Sequence, residues 1–287
     1  MKIQHFVLTR FNLRLKSFDK FCEWRGGDQV YLEKRFELFE RYCLPSMNAQ
    51  KADFKWLVLF SEMTPEPYRD RARSYACTCC GYEAVFARDA EPYDVDGAAT
   101  CIMDEIVKRL DDDTDYYIVS RIDNDDAFNV HAMEWVRNAA LEKIEKDPCD
   151  KFYVVMPHGN AYITGSGFTQ DYEWDWNHFP TLVCRRGVLD NPFWRSHATI
   201  SKSGVPVVRV PNRHAWLEVV NGTNAKNDLR TYCRPEFLSA GQLHDLFAID
   251  VKISRFFFAF YWLFKYLPLK VVDKLSKRGK RNRKTRK

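Results

Sequence analysis

The run YYIVS at 116–120 gives way at once to RIDNDD at 121–126. A continuous apolar run without polar alternation suits a strand covered on both faces, as in a parallel sheet flanked by helices. The abrupt charge marks where such a strand reaches the carboxyl edge of its sheet, the edge at which open α/β sheets bind ligands. Neighbouring segments repeat the pattern. IQHFVL at 3–8, WLVLF at 56–60, EAVFA at 83–87 and FYVVM at 152–156 read as strands. Between them lie helical stripes. Residues 31–43 place Leu32, Phe36, Phe39 and Cys43 on one face, with a stop predicted at Leu44-Pro45. Residues 96–110 stack Ala99, Ile102, Met103, Ile106 and Leu110, with Asp96 placed to cap them. A helix over 131–146 carries Met133, Val136, Ala140 and Ile144. The predicted fold class is α/β, with a mostly parallel central sheet and flanking helices.

With 287 residues, 46% of them hydrophobic, the chain can bury one large core. Beyond 150 the texture changes, and GNAYITGSGFTQDYEWDWNHFPT (159–181) reads as a less regular stretch suited to hydrogen bonding and stacking on a polar ligand. No repeat or long linker separates the parts. Residues 1–150 and 151–254 are therefore expected to be two halves of one domain sharing a sheet, with 255–287 as a distinct tail. The net charge of +5 conceals that tail: nine Lys/Arg against one Asp from Asp273 to Lys287 make +8, which leaves about −3 for the rest. That balance speaks against a nucleic-acid partner for the core. Nine cysteines, an odd count in a chain too large to need staples, suit a reducing setting. Cys77, Cys79 and Cys80 lack the second pair or the nearby His that a zinc site requires. The opening MKIQHFVLTRF shows no secretory pattern, so a cytoplasmic location is expected.

The chemistry starts from Asp123 and Asp125, one residue apart, with Asp126 following. Carboxylates so spaced can converge on one hard divalent cation, Mn2+ or Mg2+, which keeps open positions for two phosphate oxygens of a nucleotide diphosphate. Such a cation stabilises the charge that builds on a departing diphosphate, and Arg121 is positioned to help. The alternative is that these aspartates cap the next helix. Asp111, Asp112, Asp113 and Asp115 have similar spacing but lie between a helix and a strand, where a solvated loop is expected. A phosphohydrolase with an aspartyl nucleophile would carry Thr or Val where Ala127 stands, and its motif would lie near the first strand.

Several segments in order, HFVLTRFN (5–12), RFELFERYCLPSMNAQ (35–50), FKWLVLFSEMTP (54–65), SRIDNDDAF (120–128) and HAWLEVVNGTN (214–224), resemble the putative rhamnosyltransferases of bacterial polysaccharide gene clusters. The resemblance implies a GT-A-like fold and a glycosyltransferase using a nucleotide-sugar donor, with rhamnose as the sugar in the family's name and a glycan or lipid-linked acceptor. It places a nucleotide pocket at Thr9, Arg10, Phe11 and Asn12, and its Asp-x-Asp metal motif on Asp123 and Asp125. It also implies a His-Gly pair after the WLEVV run, where this chain has Asn221-Gly222. An Asn oxygen ligates a hard cation more weakly than His does. His214, seven residues earlier, is either a substitute ligand or a structural histidine.

An inverting transfer needs a base beside the acceptor hydroxyl, and Glu173 and Asp175, alternating with Trp174 and Trp176, are the candidates. Their alternative is a solvated loop whose tryptophans pack inward. The stretch 255–275 is the most hydrophobic of the chain, but Lys265, Pro268 and Lys270 interrupt it as a span. It is expected to lie on an anionic membrane surface at the inner face of the cell membrane, each cation contributing roughly 1 kcal/mol. A non-catalytic membrane-associated scaffold with the same fold is the remaining alternative.

Overall fold

A computed structural model describes residues 1–13, 28–79, 81–89, 97–193, 197–222 and 229–284. Its main sheet has seven strands: β1 (Ile3–Arg10), β2 (Lys55–Ser61), β3 (Tyr82–Ala87), β4 (Tyr116–Asp123), β6 (Lys151–Val155), β9 (Thr181–Arg185) and β10 (Val207–Arg209). Their order is β10-β6-β9-β4-β1-β2-β3. β1 runs parallel to β2 and β4, and β2 parallel to β3, while β9 alone is reversed between β4 and β6. This is the predicted α/β class with a mostly parallel central sheet. A second sheet, ordered β12-β8-β7-β11-β5, joins β5 (Ala127–Phe128), β7 (His158–Ile163), β8 (Phe168–Glu173), β11 (Trp216–Val220) and β12 (Arg234–Pro235).

The helices are α1 (Gln29–Leu38), α2 (Leu44–Asn48), α3 (Glu66–Ser74), α4 (Gly97–Val107), α5 (Ala132–Lys146), α6 (Ala240–Phe247), α7 (Arg255–Tyr261) and α8 (Leu267–Lys284). Apolar residues of β1, β2 and β4 pack on both sheet faces: Val7, Val58 and Ile118 join Phe36 and Phe39, while Leu8, Leu57 and Val119 join Ile102 and Ile106.

Three expectations need correction. The helix predicted to stop at Leu44-Pro45 continues to Asn48 through a π turn at Phe39–Cys43, where Leu44 N–H reaches back to Phe39 O. A proline in a regular helix clashes with the carbonyl four residues back; the wider turn just before Pro45 lets the chain carry on. The same device recurs at Trp262–Tyr266, again followed by Leu-Pro, and joins α7 to α8. Second, β4 does not end at Ser120 but holds its ladder with β1 as far as Asp123, opposite Arg10. Third, much of 159–181 is regular: β7 and β8 form an antiparallel hairpin, turned by Gly165 and Gly167 at positive φ. Cys77 is exposed and Cys79 buried, whereas Cys80 and the predicted cap Asp96 lie outside the described residues.

Candidate active site

β4 leaves the main sheet at Asp123, and four residues later the chain enters the second sheet as β5. The acidic turn between them therefore sits where the two sheets meet, and each residue in it has its own anchor. Asp126 N–H closes the turn onto Asp123 O at 3.3 Å, and Asn124 Nδ2 donates to Phe11 O at the end of β1. Asp125 accepts from Arg35 of α1 through both oxygens, at 2.9 and 3.1 Å, and from Asn221 Nδ2 at 2.7 Å. Asp126 accepts from Val219 N–H of β11 at 2.8 Å and meets His178 Nε2 at 3.2 Å. Arg121 Nη2 donates to Asp123 at 3.3 Å, and its guanidinium lies over the Phe193 ring.

Asp125 and Asp126 are almost wholly buried, while Asp123 keeps 33% of its side chain open. Burial pushes the Asp126 carboxyl up to about 7 against the hydrogen bond from His178. Burial also works against a charged His178, but the hydrogen bond to Asp126 and the charges of Glu218, Asp126 and Asp123 carry its ring up to about 9. For Asp123, burial opposes ionisation, yet Arg121, His178 and Arg10 together hold its carboxyl below the ordinary range.

The sequence pointed to Asp123, Asp125 and His214 as cation ligands. The structure assembles a different set: Asp123, Asp126 and His178 each bring one ligand atom within 4.8 Å of the others. Two carboxylate oxygens and an imidazole nitrogen suit Mn2+ or a similar ion. Asp125 is instead held by Arg35 and Asn221, the residue standing where the family resemblance implies a His. His214 is turned elsewhere, its Nδ1 2.6 Å from Asn160 Oδ1 and 3.9 Å from Glu236.

Of the predicted nucleotide-binding residues, Arg10 lies beside Asp123, whereas Thr9 accepts from Trp56 Nε1 and Asn12 braces Ser61 N–H and Thr64. Both Thr9 and Asn12 are buried, so their described bonds hold β1 to β2 and the turn beyond it. Of the proposed bases, Glu173 is exposed at the end of β8, opposite His158, and Asp175 pairs with Arg209. Trp176 is half-buried against the core cluster that includes Tyr117 and Leu182, and Trp174 is 37% exposed.

Sequence reasoning missed His178, Arg35 and the buried pair Glu218–Arg230, whose two contacts are both 2.7 Å. His178 is backed by Phe179, which stacks on Trp216 at 5.0 Å. That indole lies on Gly159, where any Cβ would fall 2.1 Å from the ring, so only glycine lets Trp216 support the site.

Solved structures similar to this chain include S. aureus TarS (10% identity, TM-score 0.41, covering 77% of this chain and 37% of that one). They include TarS 1–349 in complex with UDP-GlcNAc (12%, 0.38, 80% and 60%). A third is a nucleotide-diphospho-sugar transferase, named as putative, from Desulfovibrio desulfuricans G20 (9%, 0.34, 77% and 82%). This chain thus spans well under two thirds of TarS. No curated protein matches it in sequence. The family described as "Putative rhamnosyl transferase" matches residues 27–231, a stretch that holds α1, the acidic turn, His178 and Asn221. The chain belongs to this glycosyltransferase family.

Proposed function

We propose that the protein transfers a sugar, rhamnose by its family's description, from a nucleoside-diphosphate donor to a glycan or lipid-linked acceptor. The observation that carries this reading is the acidic turn at the carboxyl end of β4, ringed by Arg10, Arg35 and Arg121. A sugar-diphosphate leaves with its charge on phosphate oxygens, and arginines fixed in a largely buried site stabilise that charge without reorganising.

Asp123, Asp126 and His178 would hold a divalent cation, Mn2+ or Mg2+, which supplies Lewis-acid stabilisation of the leaving diphosphate. Arg121 fixes the orientation of Asp123, and the Val219 amide fixes that of Asp126. The acceptor is reached at the cytoplasmic face of a membrane, and Glu173 and Asp175 remain the proposed bases, at the rim of the second sheet.

The test is a thermal-shift panel of UDP, dTDP and GDP with and without manganese, on the wild type and on Asp123→Asn/Asp126→Asn. Stabilisation by one nucleotide only with metal, lost in the variant, supports the transferase and names the donor class. The Arg35–Asp125–Asn221 grouping favours a second reading, a non-catalytic scaffold with the same fold, because an arginine already neutralises the central carboxylate of the motif. Absence of any nucleotide shift would select that reading.

A further inference from the structure

The C-terminal helical run from Arg255 to Lys284 touches the rest of the protein along one seam. Phe258 and Tyr261 each pack on Phe168 of β8 at 5.0 Å. Tyr266 is buried and donates to Cys233 O at 2.7 Å, and Asp273 accepts from Thr231 at 3.0 Å. Several large apolar side chains of this run face away from the fold. Phe257, Phe260, Phe264, Val272 and Leu275 are each more than half exposed. Such a contiguous apolar surface exceeds the scattered single side chains normal on a globular protein.

Charge identifies what covers it. Residues 255–287 hold twelve Lys/Arg and one acidic residue, Asp273, which is used on Thr231. A second copy docked through the same face would bring two such cationic sets together. Among the described residues, no helix is long and apolar enough to cross a membrane. We infer that this helix lies flat on an anionic lipid surface, with Phe257, Phe260 and Phe264 in the boundary between headgroups and acyl chains. Lys274 and the basic sequence beyond it supply the positive charge for the lipid phosphates. The inference deepens the membrane-face reading of the proposed function, but it does not depend on the transfer chemistry.

The experiment is sedimentation of the full chain with vesicles of phosphatidylcholine alone or mixed with phosphatidylglycerol, at low and high salt. The bound fraction should rise with phosphatidylglycerol, and the binding constant should fall at least about tenfold at high salt. Phe257→Glu/Phe260→Glu/Phe264→Glu should abolish binding at an unchanged melting temperature, and Lys274→Gln/Lys277→Gln/Arg278→Gln/Lys280→Gln should weaken it on anionic vesicles only. Two results would overturn the inference: wild type that fails to sediment with anionic vesicles, or a triple Phe variant that sediments as well as wild type. So would a wild-type dimer that the triple Phe variant turns into a monomer in analytical ultracentrifugation. Nucleotide-induced thermal shifts on the same preparations report the donor site separately, so loss of lipid binding with the shift retained refutes only the lipid surface.

Discussion

Two acidic runs flank β4, and they meet opposite fates. At the amino end, Asp111, Asp112, Asp113 and Asp115 lie in an exposed turn, with Lys2 bridging Asp111 and Asp113 and Arg186 reaching a fully exposed Asp112. At the carboxyl end, Asp123, Asp125 and Asp126 are drawn into the junction of two sheets and met by Arg10, Arg121, Arg35 and His178. The residue types and spacing are alike. What differs is the edge of the sheet, and with it whether folding removes water from the carboxylates and obliges the protein to supply partners.

If that contrast governs function, the largest effect belongs to the carboxyl-edge run. Asp123→Asn is expected to lower single-turnover sugar transfer by about a hundredfold or more, the scale for losing one preorganised electrostatic group. Transfer at the wild-type rate would show that the two runs are equivalent after all. Next comes Arg35→Ala, which removes the guanidinium that meets both oxygens of the buried Asp125 carboxylate. It should cost about 3 kcal/mol in urea unfolding, whereas a loss below about 1 kcal/mol would place Asp125 in an essentially wet environment.

The strand between the runs carries its own marker. His5 of β1 is buried against Ser120 of β4, and burial, helped by the charge of Arg137, lowers its ring from 6.5 to about 3. The folded state thus keeps His5 neutral while the unfolded chain takes up a proton. Stability from this residue is present above pH 6.5 and lost as pH falls below it. Between pH 6.5 and about 4.5 the contribution of His5 should fall by about 2 kcal/mol; Asp126, pushed up to about 7, works in the opposite sense in both proteins, so the wild type should lose about that much stability relative to His5→Leu. Profiles of the wild type and His5→Leu that run parallel through this window would show that His5 takes up no proton on unfolding. Smallest of all, Asp112→Asn/Asp113→Asn at the exposed end should leave both the melting temperature and transfer unchanged within experimental scatter.

Much of the main sheet was legible because a strand buried on both faces must be largely apolar, and WLVLF meets that demand fully while YYIVS and IQHFVL meet it apart from Ser120, Gln4 and His5. The acidic turn was legible for the same reason, since it begins where that demand ends. The rest depended on distance along the chain. Asp126 meets His178 across 52 residues, and Asp125 meets Arg35 across 90, so no local spacing announces either pair. The glycines and aromatics of 159–181 suggested irregularity, yet they serve a hairpin whose Gly159 makes room for Trp216. A His set among aromatics, as in WNHF, was the one available hint of His178.

The π turn at Trp262–Tyr266 acts as a phase adjuster. In an unbroken α-helix the residue one turn beyond Tyr261 would be Lys265, and its ammonium would face the packing seam. The extra residue delivers Tyr266 there, and the seam continues through Lys270 and Asp273. Chain length in this turn is therefore a rotational setting: deleting one residue would swing everything beyond it by about 100° around the axis, turning the basic end without altering its composition.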